Sequence, residues 1–84
     1  MLELYQAEGC PYCEQVRETM TDLGLSFVAH NPRTAGGEER NAQTHAALTT
    51  LGGEDQIPFL VDTDRKEPVY ESEDITEYLE AHYG

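Results

Sequence analysis

The tightest constraint on this chain is the pentapeptide Gly9-Cys10-Pro11-Tyr12-Cys13, because of what flanks it. Before it, Leu2-Glu3-Leu4-Tyr5 alternates apolar and polar, the period of a half-buried strand. After it, Val16, Met20 and Leu23 recur at spacings of four and three, which line one face of a helix ending at Gly24. Pro11 suits a first helical turn, where a missing N–H leaves no bond unmade. The chain therefore opens as strand, turn and helix. One cysteine stands at the helix N-terminus and a second about one turn later.

The rest of the chain continues this alternation. Leu25-Ser26-Phe27-Val28-Ala29 reads as a second strand, followed by a loop from Asn31-Pro32 through Ala35-Gly36-Gly37. Glu38 to Leu51 reads as a second helix with Ala47, Leu48 and Leu51 inward, closed by Gly52-Gly53. Ile57 to Val61 is apolar throughout and is expected to be a central strand. The turn Asp62-Thr63-Asp64-Arg65 leads to a short strand, Pro68-Val69-Tyr70, in an antiparallel hairpin. Ser72 is expected as the N-cap of a last helix. Glu73 and Asp74 suit its positive start, and Ile75, Leu79 and His82, with Tyr78 beside them, form its inner face. The order β-α-β-α-β-β-α predicts an α/β fold with a four-stranded mixed sheet and helices on both faces. Strands joined through helices are expected to run parallel. Residues 1–84 are expected to form one domain.

Composition narrows the function classes. Seventeen Asp and Glu face five Lys and Arg, a formal net charge of −12. Such a field repels nucleic acid and anionic membrane, so neither is an expected partner. The acidity runs along the whole chain, which suits a folded protein of a high-salt cytoplasm, where self-repulsion is screened within about 3 Å at 1 M salt. No apolar run is long enough to span a bilayer, and the first residues lack the basic start and apolar core of a secretory signal. A cytoplasmic location is expected, with Cys10 and Cys13 reduced.

A lone Cys-x-x-Cys pair in that setting is catalytic or metal-binding more often than a structural disulfide. At a helix start, free backbone N–H groups and the helix dipole favour an anion, so Cys10 is the expected nucleophile. Cys13, one turn later, is placed to attack the Cys10 sulfur and expel a bound thiol. Two other readings exist. Tetrahedral zinc needs four ligands, but only His30, His45 and His82 remain as candidates, with no H-x3-H pair. Two inert buried thiols are the other reading, against which a glycine-flanked helix start is usually exposed.

Cys10-Pro11-Tyr12-Cys13 resembles the dithiol motif of glutaredoxins, within the thioredoxin superfamily, and the acidic composition resembles that of a halophilic archaeal member. Gln56-Ile57-Pro58 is similar to the strand start where that superfamily carries a cis-proline. Tyr70-Glu71-Ser72-Glu73-Asp74-Ile75 resembles the segment that binds the γ-glutamyl end of glutathione. It is also similar to the Glu-Ser pair of glutathione transferase N-terminal domains. The resemblance spans nearly the whole chain. It implies a thioredoxin fold with Cys10 and Cys13 as catalytic residues, and thiol contacts from Pro11, Tyr12, Ile57, Pro58, Glu71 and Ser72. Glutathione or γ-glutamylcysteine is the implied thiol co-substrate, with no metal. Ile57 would bond the cysteinyl part through its backbone. Ser72, as cap or as ligand contact, would face the γ-glutamyl carboxylate, and Glu71 or Glu73 its ammonium.

The implied activity is reduction of disulfides in protein substrates, or of glutathione-type mixed disulfides, by a monomer fed by a low-molecular-weight thiol. The alternatives are a redoxin fed by a thioredoxin reductase, a γ-glutamyl-thiol binding module without turnover, and an iron–sulfur carrier, which the dithiol disfavours. Glu8 departs from the pattern, since many glutaredoxins carry a basic residue two positions before the first cysteine. Arg40 and His45 are the expected substitutes near a glycyl carboxylate. γ-Glutamylcysteine, which lacks that carboxylate, would not need them. The charge balance makes salt the lever: alkylation of Cys10 at neutral pH should accelerate as salt rises. A rate that falls, with circular dichroism unchanged, would contradict this account.

Overall fold

The computed structural model describes residues 1–84. Its elements are β1 (Leu2–Tyr5), α1 (Pro11–Asp22), β2 (Val28–His30), α2 (Ala42–Gly52), β3 (Phe59–Asp62), β4 (Glu67–Tyr70) and α3 (Ser72–Tyr83). The four strands form one mixed sheet in the order β2-β1-β3-β4. This is the expected element order and a thioredoxin-like fold. No helix is long and apolar enough to cross a membrane.

Pleat alternation sorts the core into two layers. Leu2, Leu4 and Leu60 meet Val16 and Met20 of α1 and Ile75 and Leu79 of α3 on one face. Tyr5 and Phe59 turn to the other face, where they meet Leu48 of α2, Cys13, Ala7 and Ile57. Helices therefore cover both faces. On the α2 side, one ring from each strand crosses the sheet at its last register row. Tyr5 pairs with both His30 and Phe59, and Phe59 with Tyr70. His30 stacks on Tyr5 at 4.6 Å and Phe59 on Tyr70 at 4.4 Å, while Tyr5 and Phe59 are tilted at 5.8 Å.

Several sequence expectations are corrected, each for a backbone reason. β2 starts at Val28 because the amide of Leu25 still bonds the carbonyl of Met20 and closes α1, with Gly24 at φ +68 making the turn. Leu25 and Phe27 pack on the core from outside the strand. α2 starts at Ala42 because Glu38 to Arg40 fold back on the preceding loop. Thr34 N–H donates to Glu38 and Arg40 N–H to Pro32, and the Asn41 side chain caps the helix through Thr44 N–H. Leu51 is 55% exposed rather than inward. β3 pairs antiparallel with β1 and does not touch β2, so the helix between β2 and β3 does not make them parallel. The chain leaves β2 at His30 and enters β3 at Phe59, both beside Tyr5, so α2 returns it to the same end of the sheet. That return sets Ile57-Pro58 next to Cys10.

In α3 the inward residue of the last turn is Tyr83, and His82 is exposed. The cause is Asp62, fully buried at the far end of β3. Its Oδ2 accepts the hydroxyls of Tyr83 at 2.6 Å and Tyr78 at 2.8 Å, and its Oδ1 faces the amides of Asp64 and Arg65. Burial works to raise the Asp62 pKa. The Tyr83 and Tyr78 hydroxyls and the two amides outweigh it and hold the carboxyl below its usual range. The edge strand is clasped differently: the Tyr70 hydroxyl donates to the Glu54 carbonyl at 2.9 Å and accepts from the Glu54 amide at 3.2 Å.

Two outcomes are expected. Because the folded-state pKa of Asp62 is depressed, its contribution is complete above the unfolded value of about 3.9 and is lost as pH falls through the folded value. Asp62→Asn should cost about 1–3 kcal/mol at neutral pH and flatten the acid limb of stability, read by denaturant melts across pH. A Cβ on Gly52 would stand 1.9 Å from the Tyr70 hydroxyl. Gly52→Ala should therefore break the clasp and cost about 1–3 kcal/mol in a thermal melt, although alanine favours helix.

Candidate functional site

The site forms at the sheet end marked by Tyr5, where β1 runs out and α1 begins. Gly9, at φ +84, makes the turn. Cys10 then takes the N-cap position of α1 in extended conformation, with no side-chain cap bond of its own, and Pro11 opens the helix. Cys10 is half-buried, whereas Cys13 is fully buried under it among Tyr5, Leu48 and Phe59. Burial, first, and then the adjoining Cys10 thiol push Cys13 up to about 12, against the opposing pull of the Ala7 amide and the Arg17 charge. The two thiols thus have unequal environments: one opens on solvent and the other keeps its proton in the core.

Two cavities meet at this point. The smaller, about 300 Å³, is lined by Gly9, Cys10, Pro11, Tyr12, Arg33, Ala35 and Ile57. The larger, about 530 Å³, is framed by Tyr12, Gln56, Ile57 and Pro58 on one side and the start of α3, from Glu71 to Asp74, on the other. Tyr12 and Ile57 line both, so the Cys10 cavity and the cavity at the α3 N-terminus adjoin across these two residues. Tyr12 is 65% exposed, a tyrosine left free to cover whatever occupies the cleft. The Ile57-Pro58 bond is cis, as expected from the motif.

Ser72 is corrected in its backbone role. It is the first residue of α3, 7% exposed, and the preceding residue, Glu71, takes the N-cap position without a side-chain cap bond. Glu71 sits at φ +69, a strained setting for a residue with a Cβ. Its carboxylate accepts from Gln56 Nε2 at 2.8 Å, which ties the start of α3 to the segment before Pro58. Ser72, Glu73 and Asp74, the first-turn residues whose amides have no intrahelical partner, line this cavity.

Cys10, Pro11, Tyr12 and Ile57 line the smaller cavity, Tyr12, Ile57, Pro58, Glu71 and Ser72 line the larger, and Cys13 is buried behind Cys10; Arg40 and His45 line neither. Arg40 pairs with Glu38 at 3.2 Å on the surface. His45 lies between Glu39, at 3.2 Å from Nδ1, and Asp55, at 3.1 Å from Nε2. The cation that lines the cleft is Arg33, a residue the sequence reading did not select. Its side chain is 18% exposed and pairs with Asp55 at 3.5 Å. One signal pointed to it: only five cations exist, and this one lies three residues past the end of β2. Glu8 also differs from expectation, because Arg17 stands 3.2 Å from its carboxylate and offsets its charge. No set of three or more His, Cys, Asp and Glu side chains converges as metal ligands.

Residues 4–84 match the family described as glutathione S-transferase, N-terminal domain. No curated protein matches the sequence. Among solved structures, glutathione S-transferase 1-6 from Anopheles dirus species B aligns with a TM-score of 0.78 and 26% identity, over 98% of this chain and 36% of that one. A diazinon-metabolizing glutathione S-transferase of the silkworm Bombyx mori aligns at 0.77 and 24% identity, over 99% and 38%. Isozyme E7 from Drosophila melanogaster aligns at 0.79 and 23%, over 100% and 35%. The chain thus spans little more than a third of these relatives. The unequal thiols make a direct prediction. Iodoacetamide at neutral pH should modify Cys10 alone in the native protein and both cysteines in denaturant, read by peptide mass mapping.

Proposed function

The chain belongs to the glutathione S-transferase N-terminal domain family, and within it we propose a thiol–disulfide oxidoreductase of glutaredoxin type. The observation that carries this reading is the pairing of a cleft-facing Cys10 at a helix N-terminus with a buried Cys13 one turn behind it. In the first step, the Cys10 thiolate attacks the glutathionyl sulfur of a mixed disulfide. A Cys10–glutathionyl bond forms, the original S–S bond breaks, and the departing thiolate takes a proton. A second thiol then attacks the glutathionyl sulfur, forming a new disulfide with it and releasing the Cys10 thiolate; alternatively Cys13 attacks the Cys10 sulfur, releasing glutathione and leaving a Cys10–Cys13 disulfide that two further thiols reduce.

The cleft supports this use. A γ-glutamyl thiol would lie from the α3 N-terminus to Cys10, its carboxylate on the first-turn amides and Ser72, and its ammonium toward Glu71 or Glu73. The backbone of Ile57 would run beside the cysteinyl part, and Tyr12 would cover it. Arg33 is the cation available to a carboxylate at the Cys10 end, in competition with Asp55. That competition favours γ-glutamylcysteine relative to glutathione more than a free arginine would. The acidic composition supports activity in high salt, where repulsion of an anionic thiol is screened. We read residues 1–84 as one domain, monomeric and cytoplasmic, that reduces disulfide-containing proteins.

A second reading has support of its own. Membership in a transferase domain family and an acid-lined cleft of about 530 Å³ also suit γ-glutamyl-thiol binding without turnover. Cysteine variants separate the two. Turnover of a small mixed disulfide in molar salt, with glutathione or γ-glutamylcysteine as reductant, should vanish in Cys10→Ser and persist in Cys13→Ser. Binding without turnover in the wild type would defeat the redox reading. Arg33→Met should raise KM on the order of tenfold for glutathione and much less for γ-glutamylcysteine, the size of one lost charge-assisted contact.

A further inference from the structure

Arg33 lines the Cys10 cavity, but it does not stand alone. It belongs to a closed circuit of charged side chains beside the cleft. Arg33 Nε faces Asp55 Oδ1 at 3.5 Å. Asp55 Oδ2 faces His45 Nε2 at 3.1 Å, and His45 Nδ1 faces Glu39 Oε1 at 3.2 Å. Glu39 closes the circuit, because it opposes Arg33 in an antiparallel β-bridge across the loop between β2 and α2. The Arg33 and His45 side chains are 18% and 25% exposed, whereas those of Asp55 and Glu39 are about half exposed.

His45 is the variable member. An ionised carboxylate only accepts hydrogen bonds, and a neutral imidazole has one N–H. Both contacts of His45 are therefore hydrogen bonds only when the ring is an imidazolium. In that state the circuit balances two cations against two anions. When the proton leaves, one carboxylate loses its donor, and one cation faces two anions beside the cavity. Asp55 is then neutralised by Arg33 alone, and Arg33 offers less positive potential to an anion at the Cys10 end. With His45 charged, Asp55 is shared between two cations, and Arg33 attracts an anion more strongly.

We propose that His45, acting through Asp55, sets how strongly Arg33 holds a carboxylate in the Cys10 cavity. This role rests on reading the cleft as a γ-glutamyl-thiol site. Arg33 is the contact, and Asp55 and His45 are positioning residues. As His45 gains its proton, the cleft comes to prefer a thiol with a terminal carboxylate over one without it. The charged groups that face His45 come from two sides. Glu39 reaches it from the loop before α2, and Asp55 from the segment before Ile57-Pro58. The helix itself holds no other titratable side chain. Arg40 and Glu38, on either side of Glu39, pair with each other at 3.2 Å. β4, which packs on α2, brings Tyr70, whose hydroxyl is held by the Glu54 backbone.

The test measures binding and so does not depend on turnover. Calorimetry gives the Kd of S-methylglutathione, whose blocked sulfur cannot react with Cys10, and of its C-terminal amide, which lacks only the glycyl carboxylate charge. Both are titrated from about pH 8.5 to 5.5, the range in which histidine changes charge, at the lowest salt in which the chain stays folded. The glycyl carboxylate is ionised throughout, and the two compounds share every other titrating group, so a change in the ratio of their Kd values comes from the protein. In the wild type the preference for the acid should rise about threefold as pH falls, the size expected of one partly exposed charge. His45→Gln should hold the preference flat at its high-pH value. Asp55→Asn should raise it at every pH and remove most of its pH dependence. A wild-type preference that does not change with pH overturns the proposal, and so does a pH dependence that survives in His45→Gln. Should His45→Gln not fold, a full pH dependence in Asp55→Asn, a half-exposed change, does the same. Binding of neither compound overturns the proposal together with the γ-glutamyl-thiol cleft. A pH-dependent preference in a protein that turns over no mixed disulfide supports the proposal and defeats the thiol–disulfide reading instead.

Discussion

The site rests on a row of aromatic rings across one end of the sheet. His30, Tyr5, Phe59 and Tyr70 come one from each strand, in register, and stack or tilt against their neighbours. The row forms the floor on which Cys13 is buried, and Phe59 directly continues the Ile57-Pro58 segment that borders the cleft. It also explains how an 84-residue chain with little core holds a cleft open. Large flat side chains fill the layer under α2, where Leu48 is the only fully buried residue of that helix. Tyr70 extends the same row to the edge strand, and its hydroxyl pins the loop that leads into β3.

Charge is organised around scarcity of cations. Each of the four arginines is committed to a carboxylate: Arg17 to Glu8, Arg33 to Asp55, Arg40 to Glu38 and Arg65 to Asp62. The exposed pairs contribute little to stability. The partly buried ones matter for location. Arg17 braces the β1–α1 turn through Gln6 and Glu8, and Arg33 lines the cavity of Cys10. An excess of acid on the surface thus coexists with a thiol site that keeps its own positive charges.

Much of this was legible in the chain. Alternation in Leu2–Tyr5, the spacing of Val16 and Met20, and the Pro-flanked cysteine pair located β1, α1 and the two thiols. Element order and sheet composition followed from periodicity. Misreadings arose where hydrogen bonds overrode apolar pattern. Leu25 looks like strand but its amide closes α1, and Glu38 to Arg40 look helical but bond back to the loop. His82 and Tyr83 could not be told apart by spacing, and the buried Asp62 decided between them by requiring hydroxyl donors.

Sequence alone determined that one thiol would stand at a helix start with a second one turn behind, because that geometry is local and set by four consecutive residues. The resemblance to the thioredoxin superfamily added the cis-proline and the acidic helix start as candidates to face it. Only the tertiary structure decided which cation enters the cleft, how β3 runs, and what surrounds Cys13. Those depend on side chains from β1, β2, α1 and the loops meeting in space. Arg33 is 23 residues from Cys10 in the chain and lines the same cavity. No local pattern encodes such a distance. It follows from β2 running parallel to β1 and ending beside Tyr5, which puts the loop after β2 at the end of the sheet where β1 leads into Cys10.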